Sequence, residues 1–257
     1  MWSALKRAFG KPSRSNAPAS RIDRLTYAIG DVHGRNDLLK RLLDIIKEDA
    51  EREDEKPRIV MLGDYVDRGD DSAGVLDTIL ELEGSSWCDT QVLLGNHEEM
   101  LKRFLLDSDY GSDWVTFGGD ATLASYGVTP PSPRSETELW VEARKQLSHA
   151  MPSAHLSLLR RAALHYTAGD YLFVHGGVKP GVPLDQQGAE TFLWIRDEFL
   201  KSPKACEKVV VHGHSARQQV SNQNWRIGVD TGAYATGILT AVKLKEATRT
   251  FVKSTRE

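Results

Sequence analysis

Ala28-Ile-Gly-Asp-Val-His-Gly34 is the stretch that decides the fold, because an apolar strand runs directly into a glycine, a carboxylate and an imidazole. Four further apolar strands also run into a glycine and an acid, amide or imidazole, in Met61-Leu-Gly-Asp-Tyr-Val-Asp-Arg-Gly69, Leu93-Leu-Gly-Asn-His-Glu98, Phe173-Val-His-Gly-Gly177 and Val210-Val-His-Gly-His214. In open α/β sheets, ligands bind outside the carboxyl ends of the strands. We therefore expect the polar ends of five neighbouring strands to converge on one small site.

The sequence around the first three motifs alternates short apolar strands with amphipathic helices. Strands are predicted at residues 25–29, 58–62 and 91–94, and helices at about 37–51 and 72–83, the second with Ser72 as its N-cap. Strands about thirty residues apart, with helices between them, are typical of right-handed βαβ units. The first third of the chain therefore predicts a parallel sheet.

The remainder of the chain predicts a helical insert followed by more strands. Helices are expected at residues 98–106, 114–126, 136–151 and 152–164, within an insert of about 98–165 that flanks the site without forming a separate domain. Strands follow at 171–174, 208–211, 226–229, 238–244 and 250–253, with a helix at 189–200 and the last three strands as an antiparallel meander. The expected fold class is α/β (mixed α+β), a two-sheet sandwich flanked by helices.

Composition limits the kind of protein this can be. The 257 residues fit one domain with an insert, and 40% hydrophobic residues suffice for a buried core. A net charge of −3 argues against a nucleic-acid partner, since such binding relies on neutralising phosphates. The sequence has no apolar run near the roughly 18–20 residues that a transmembrane helix needs.

The cysteines and the N-terminus bear on redox state and targeting. Cys88 and Cys206 are the only cysteines, too few for a disulfide framework, so both are interpreted as packing residues and a cytoplasmic location is expected. Residues 1–21 are basic and lack the apolar stretch of a secretory signal. We expect a flexible basic tail at 1–21 and one domain at 22–257.

The polar residues of the motifs are those of a metal site. They are Asp31, His33, Asp64, Asn96, His97, His175, His212 and His214. Carboxylates and imidazoles without a cysteine suit Mn, Fe or Zn in a catalytic site. Six or seven ligands exceed the needs of one ion and match two ions, about 3.5–4 Å apart, that share a carboxylate. We expect two divalent metal ions, Mn first, with Fe or Zn as alternatives.

The first three motifs resemble those of the phosphoprotein phosphatase family. Gly30-Asp-Val-His-Gly34, Gly63-Asp-Tyr-Val-Asp-Arg-Gly69 and Gly95-Asn-His-Glu98 stand in that family's order and spacing, and the similarity extends over about residues 24–245. The resemblance implies a calcineurin-like metallophosphoesterase fold with a dinuclear metal centre. The segment Gly228-Val-Asp-Thr-Gly-Ala-Tyr-Ala-Thr-Gly237 is similar to bacterial and phage members, which predicts that branch of serine/threonine protein phosphatases.

The resemblance also implies a role for each site residue. The first metal would be held by Asp31, His33 and a bridging Asp64, and the second by Asn96, His175 and His214. Arg68 and Arg196, together with Asn96, would bind the substrate phosphate. His97 would act as general acid, oriented by Asp67, while His212 has no ligand role in that pattern and is expected to be structural.

Chemistry supports a phosphoester hydrolase. A phosphate dianion repels nucleophiles, and two cations both neutralise it and lower the pKa of a bridging water, so that a hydroxide can attack in line. Arginine forks match phosphate oxygens, and a proton donor such as His97 is needed for an alkoxide leaving group. The sequence carries neither a Cys-x5-Arg motif nor an Asp-x-Asp-x-Thr motif nor a P-loop, which excludes those phosphoryl-transfer mechanisms.

Several substrates remain open on sequence grounds. The first hypothesis is a phosphoprotein substrate, with no regulatory subunit evident. The alternative is a symmetrical dinucleoside tetraphosphate hydrolase, disfavoured because such enzymes typically have Ala in place of Asp67 and Asp in place of Glu98. A broad phosphomonoesterase acting on small molecules or phosphotyrosine and a non-catalytic binding module are two further hypotheses. The segment at 114–127 either forms one wall of the substrate cleft or packs as a helix pair.

Overall fold

Two five-stranded sheets form the centre of the protein in the computed structural model, which describes residues 20–255. The first sheet contains β1 (Thr26–Ile29), β2 (Arg58–Met61), β3 (Asp89–Val92), β9 (Ile238–Lys245) and β10 (Thr248–Thr255). The second contains β4 (His165–Ala168), β5 (Tyr171–Val174), β6 (Val209–His212), β7 (Ser221–Asn222) and β8 (Arg226–Gly228). Every predicted sheet strand therefore has a counterpart, and β4 and β7 are additional strands.

The helices lie between these strands in the sequence. They are α1 (Asn36–Glu53), α2 (Ser72–Glu83), α3 (Asn96–Leu106), α4 (Gly111–Thr116), α5 (Gly119–Ser125), α6 (Thr137–Ala150), α7 (Ser153–Arg161), α8 (Ala189–Trp194), α9 (Asp197–Leu200) and α10 (Ala233–Thr236). Short 3-10 turns occur at Ser108–Tyr110 and Leu184–Gln186. Within residues 20–255, none of the helices combines the length and the apolar character required to span a bilayer.

Parallel pairing at the centre of each sheet sets up the site. The first sheet has the order β10-β9-β1-β2-β3, with β1, β2 and β3 parallel as predicted. The second has the order β4-β5-β6-β8-β7, with β5, β6 and β8 parallel and antiparallel strands at both edges. The carboxyl ends of six parallel strands are therefore available to position functional side chains.

Successive side chains of the central strands point alternately into the core between the sheets and into the core beneath the helices. On β1, Ala28 faces a core between the sheets, whereas Tyr27 and Ile29 face the core under the helices. On β5, Phe173 joins the core between the sheets and Leu172 packs against the other helical layer. Both faces of each sheet are thus covered, which confirms the predicted two-sheet sandwich flanked by helices.

The insert between β3 and β4, made of helices α3 to α7, packs on the first helical layer. Trp114 and Leu158 belong to the same buried cluster as Leu42 of α1. The insert returns to the sheet at Ala163, which donates its N–H to Val92 O (3.0 Å). A separate core for the insert is absent among residues 20–255. The division into a tail at 1–21 and a domain at 22–257 stays a prediction, and residues 1–19 lie outside the described part.

The predicted antiparallel meander of the last three strands is confirmed for β9 and β10, which pair antiparallel, and wrong for β8. β8 pairs in parallel with β6 in the second sheet, whereas β9 crosses to the first sheet and pairs with β1 and β10. Residues 229–237 make this crossing over the ends of the strands. Apolar alternation identifies a strand but does not say which of two sheets it joins, so the local pattern could not distinguish these arrangements.

Two predicted helices are each divided in two. The helix predicted at 114–126 breaks at Gly118, where φ is +101° and a Cβ atom would lie 2.8 Å from Arg68 Cγ. The helix predicted at 189–200 breaks at Ile195, whose ψ of 137° is extended. The N-cap of α2 is Asp71 rather than Ser72, because the Asp71 side chain accepts the Gly74 N–H at 2.9 Å.

Candidate active site

The five strand-end motifs meet at one edge of the sandwich. The loops after β1 and β2 are joined directly, since His33 N donates to Asp64 O at 2.9 Å. The loops after β5 and β6 are joined as well, since Gly213 N donates to His175 O at 3.0 Å, and the His175 ring ties them to the first sheet through Leu62 O at 2.9 Å. The structure thus brings together the strand-end side chains that the sequence singled out, with the exception of His212, and all of them are buried.

Asp64 occupies the middle of this cluster. Its Oδ1 lies 3.2 Å from His175 Nε2, and its Oδ2 lies 3.4 Å from His33 Nε2. Two groups of potential metal donors share it, one with His33 and His97 and the other with His175 and His214, and within each group the donor atoms lie within 4.8 Å of one another. A carboxylate shared by two donor groups is in the position required of a bridging ligand.

Backbone carbonyls aim two of the imidazoles at Asp64. His33 Nδ1–H donates to Val66 O and His175 Nδ1–H donates to Leu62 O, each at 2.9 Å. Because a carbonyl can only accept, each ring carries its proton on Nδ1 and turns Nε2 towards the cluster. Metal-binding histidines are usually held in this manner.

Three further residues complete the cluster on the side of the second sheet. Asn96 Oδ1 lies 2.9 Å from His175 Nε2. The His214 N–H reaches both oxygens of Asp31, at 3.1 and 3.0 Å. His214 Nε2 is itself buried and has no hydrogen-bond partner among residues 20–255. A buried imidazole nitrogen without a partner is costly unless a ligand satisfies it.

Asp230 is a site residue that the sequence interpretation missed. Burial, followed by the neighbouring Asp230 carboxylate, raises the pKa of Asp31 well above its usual range. Asp230 follows β8 immediately after Val229, so it obeys the same strand-then-acid rule as the five motifs. In the sequence, Asp230 contributes only to the segment at 228–237 that resembles bacterial and phage members. Its position directly after a predicted strand is the feature that could have identified it as a site residue.

His97 is held by a fully buried carboxylate. Its Nδ1 lies 2.7 Å from Asp67 Oδ2, and that oxygen also accepts Trp114 Nε1–H at 2.9 Å. The other oxygen of Asp67 accepts the Thr122 hydroxyl at 2.6 Å. Burial alone would lower the pKa of His97, but Asp64 and Asp67 outweigh it and raise that pKa above its usual value. The segment at 114–127 therefore supports His97 from behind while also forming a helix pair.

The two arginines lie on opposite sides of the cluster. Arg68 Nη2 lies 3.0 Å from His97 Nε2, and its guanidinium carbon is 4.9 Å from the centre of the Tyr234 ring. Arg196 Nη1 donates to His214 O at 2.9 Å and is otherwise exposed. An anion placed over Asp64 would thus have a guanidinium on either side.

Glu98 braces the loop that carries Asp64 and does not face the cleft. Its Oε2 accepts N–H bonds from Asp64 and Gly95, at 2.8 and 2.9 Å. Its Oε1 accepts N–H bonds from Tyr65 and Val66, at 2.7 and 3.2 Å. Glu98 is buried beneath the loop, so its side chain does not contact a substrate in the cleft.

Replacing Glu98 with Gln is expected to destabilise the fold by about 2–4 kcal/mol, because two of the four buried N–H donors lose their acceptor. Chemical denaturation of the variant and the wild type measures this difference. Glu81→Gln, on the exposed face of α2, is the matched control and should unfold like the wild type. Equal stability of Glu98→Gln and Glu81→Gln would show that the loop does not depend on this carboxylate.

His212 points away from the cluster. Its Nδ1 contacts Gly213 O at 2.9 Å, its Nε2 lies 3.3 Å from Arg226 Nη1, and its ring packs edge-on against Phe199 with centroids 5.0 Å apart. These contacts occupy both ring nitrogens. The placement agrees with the expectation that His212 is structural.

Comparison with known proteins places this geometry in a family. A profile of the family described as calcineurin-like phosphoesterase matches residues 25–234, which contain every residue of the cluster. The chain belongs to the calcineurin-like phosphoesterase family. As a calcineurin-like phosphoesterase it is a hydrolase of the metallophosphoesterase type, and this membership implies divalent metal ions.

Relatives of this phosphoesterase differ in their substrates. Over 156 residues it is 32% identical to a symmetrical bis(5'-nucleosyl)-tetraphosphatase of Acidovorax sp. (strain JS42), covering 60% of this chain but only 44% of that protein. Over 248 residues it is 23% identical to the asymmetrical bis(5'-nucleosyl)-tetraphosphatase PrpE of Anoxybacillus flavithermus (strain DSM 21510 / WK1), covering 88% and 93%. Its fold is similar to the cold-active protein-tyrosine phosphatase of a psychrophilic Shewanella sp., with a TM-score of 0.54 at 18% identity over 91% of this chain and 82% of that one. The predicted serine/threonine branch thus stays a prediction.

The donor set of this phosphoesterase fits divalent cations. Burial lowers the pKa of His33 to about 3 and that of His214 to about 2, so both imidazoles have a free lone pair at neutral pH. Burial would also lower the pKa of His175, but Asp64 and then Asp31 raise it to about 9. The carboxylates of Asp64 and Asp31 therefore favour a positive charge next to them. Its mixture of imidazole, carboxylate and amide donors suits Mn, Fe or Zn.

Proposed function

We propose that this calcineurin-like phosphoesterase cleaves the polyphosphate chain of dinucleoside polyphosphates in a metal-dependent reaction. The observation that carries the proposal is the Asp64 carboxylate shared by two donor groups and flanked by Arg68 and Arg196. The choice of a dinucleotide rests on the two tetraphosphatases, one of which is matched over almost its whole length. The sequence gives this substrate as the alternative hypothesis, and Glu98, one of the two residues that distinguish the hypotheses there, lies beneath the loop and not in the cleft.

We assign the metal-holding residues as the sequence resemblance implied, with one addition. Asp31, His33 and Asp64 would hold one ion, and Asn96, His175, His214 and Asp64 the other, with Asp230 beside Asp31. Divalent ions bound there would supply a nucleophile at neutral pH and neutralise the charge of the phosphate. His97 could also complete the group of His33 and Asp64, but its hydrogen bond to Asp67 suits proton transfer better.

The arginines would orient the phosphate. Arg68 is fixed by its backbone N–H bond to Gly118 O (3.0 Å) and by stacking on Tyr234, and Arg196 is fixed by His214 O. Each guanidinium keeps further N–H donors free for phosphate oxygens. Two such forks on opposite sides would hold the scissile phosphorus over Asp64 and determine which P–O bond points towards His97.

His97 would deliver a proton to the leaving oxygen. Asp67 holds its Nδ1, so that its Nε2 lies at the edge of the cluster, 3.9 Å from Asp64 Oδ2. Asp64 and Asp67 raise the pKa of His97, which favours the protonated ring that a general acid requires. Asp67 acts through His97 and is therefore a positioning residue.

A serine/threonine protein phosphatase is the second candidate, and one observation favours it. The Asp67–His97 pair is buried, and hydrogen bonds from Trp114 and Thr122 to Asp67 fix it in place, so the structure positions His97 firmly for proton donation. An alkoxide leaving from a phosphoserine needs that proton more than a nucleotide phosphate does.

Side-by-side hydrolysis separates the two candidates. The Mn²⁺-loaded protein is given diadenosine tetraphosphate and a phosphoserine peptide, and kcat/KM is measured for both, with the cleaved nucleotides identified by chromatography. The proposal predicts a clear preference for the dinucleotide. Release of two ADP would indicate symmetrical cleavage, and ATP with AMP would indicate asymmetrical cleavage. A preference for the peptide would overturn the proposal in favour of the second candidate.

A further inference from the structure

An aromatic pocket opens beside the candidate active site, between α3, α4 and the end of α8. Its volume is about 200 Å³, and its apolar wall consists of Met100, Tyr110, Trp114, Phe117 and Trp194. Tyr110 and Phe117 are each 45% exposed, although both are large hydrophobic side chains. Aromatic surface left open to water around a concavity is typical of a ligand-binding site.

The walls of this pocket are continuous with both sides of the Asp64 cluster. Trp114 Nε1 donates to Asp67 Oδ2, and Phe117 directly precedes Gly118, whose carbonyl accepts the Arg68 N–H. On the other side, the Trp194 ring lies 6.4 Å from the His214 ring. A molecule with its phosphate between the arginines could therefore place an adjoining group in the pocket.

The size and rim of the pocket indicate which group that is. Its volume is below the roughly 300–1,000 Å³ that encloses a whole drug-sized ligand, so it fits a single planar ring system. Arg103 and Asp113 line it as well, and both are exposed. A guanidinium and a carboxylate offer a donor and an acceptor to the edge of a ring. A nucleobase has a face that stacks on aromatic side chains and an edge with both kinds of hydrogen-bonding group, whereas a hydrocarbon ring has only the face.

We propose that this pocket binds a nucleobase of the substrate, with Phe117 as a specificity-determining side chain. The inference rests on the proposed dinucleotide function, which it makes more specific. Phe117 is half exposed, and its side chain is not part of the Asp64 cluster or of the Asp67–His97 pair. Its removal should therefore weaken binding of the base without disturbing the fold or the phosphate site.

Isothermal titration of the Mn²⁺-loaded protein with AMP and with ribose 5-phosphate isolates the contribution of the base. The two ligands share their sugar and phosphate, so that only the adenine differs. We expect AMP to bind about tenfold more tightly, the effect of stacking one base on aromatic side chains. Phe117→Ala and Tyr110→Ala should each lose most of this ratio, while the affinity for ribose 5-phosphate stays at the wild-type value.

Leu106→Ala is the matched control, because Leu106 is an equally apolar side chain at the end of α3 that is 83% exposed and does not line the pocket. It should keep the full preference for AMP. Equal binding of AMP and ribose 5-phosphate by the wild type would overturn the inference. It would also be overturned if phosphotyrosine bound as tightly as AMP and lost the same affinity in Phe117→Ala. The proposed function is tested separately by dinucleotide cleavage. Cleavage without a preference for AMP would support the function and rule out the pocket assignment. A preference for AMP without cleavage would support the pocket as a base-binding site and rule out the proposed function.

Discussion

Asp64→Asn is expected to release bound metal and to lower kcat/KM for a phosphoester by about a thousandfold or more, because metal ions contribute several kcal/mol of transition-state stabilisation. The Asp64 carboxylate lies between His33 and His175, at 3.4 and 3.2 Å, and both donor groups share it. An amide of the same shape has one neutral oxygen and cannot bridge two cations. Elemental analysis of the purified variant, together with its kinetics, measures both effects.

Asp44→Asn is the control for this substitution, because Asp44 is exposed on α1 and lines none of the metal-donor groups. Its metal content and activity should equal those of the wild type. If Asp64→Asn retained the metal content of the wild type, Asp64 would not be the shared ligand.

His97→Asn is expected to produce a loss that depends on the leaving group. On an alkyl phosphate kcat should fall by about 10²–10⁴-fold, the usual contribution of a general acid, whereas an activated aryl phosphate should be nearly unaffected. A nucleotide phosphate leaves more easily than an alkoxide, so the loss on diadenosine tetraphosphate should be intermediate. Steady-state kinetics on the three substrates give the order.

Asp67→Asn should reproduce the same order with smaller losses, because Asp67 reaches the substrate only through His97 Nδ1. Its kcat-against-pH profile should also shift to lower pH on the acid-requiring substrate, since the Asp67 carboxylate helps to raise the pKa of His97. Equal losses of His97→Asn on alkyl and aryl phosphates would assign His97 to metal binding, the other role that its distance to Asp64 permits.

The sequence predicted the site better than it predicted the connections of the fold. Glycine followed by an acid, amide or imidazole at the end of an apolar strand is a local pattern with a three-dimensional consequence, because parallel strands end at one edge. The strand-end pattern therefore predicts that Asp31, Asp64 and His175 lie together, and the structure brings them together. The family match confirms the fold that this convergence predicted.

The connections were harder because they depend on contacts between distant residues. Gly118 divides a predicted helix because its backbone is left-handed and packs against Arg68, fifty residues earlier in the sequence. Only glycine fits there, since a Cβ atom would collide with the Arg68 side chain. The route of residues 229–237 from one sheet to the other is likewise set by packing of β8 against β6. Neither contact leaves a periodic signal in the local sequence.

Glu98 and Asp230 show two ways in which a sequence motif fails to predict the role of a side chain. Glu98 lies within a recognised motif, yet its carboxylate accepts four backbone N–H bonds and does not face the substrate cleft. Asp230 was not assigned a role, yet it lies beside Asp31 in the cluster. A motif gives the residue types, whereas the direction of each side chain depends on the loop that carries it.

Metal-dependent cleavage of diadenosine tetraphosphate is the decisive measurement for the proposed function. The protein is stripped with a chelator, its metal content is determined, and cleavage is followed before and after Mn²⁺ is restored in defined steps. We expect activity to disappear with the metal, to return with it and to saturate at about two ions per chain, the number that one shared carboxylate can bridge. Full cleavage by the stripped protein, or none by the reloaded protein, would contradict it.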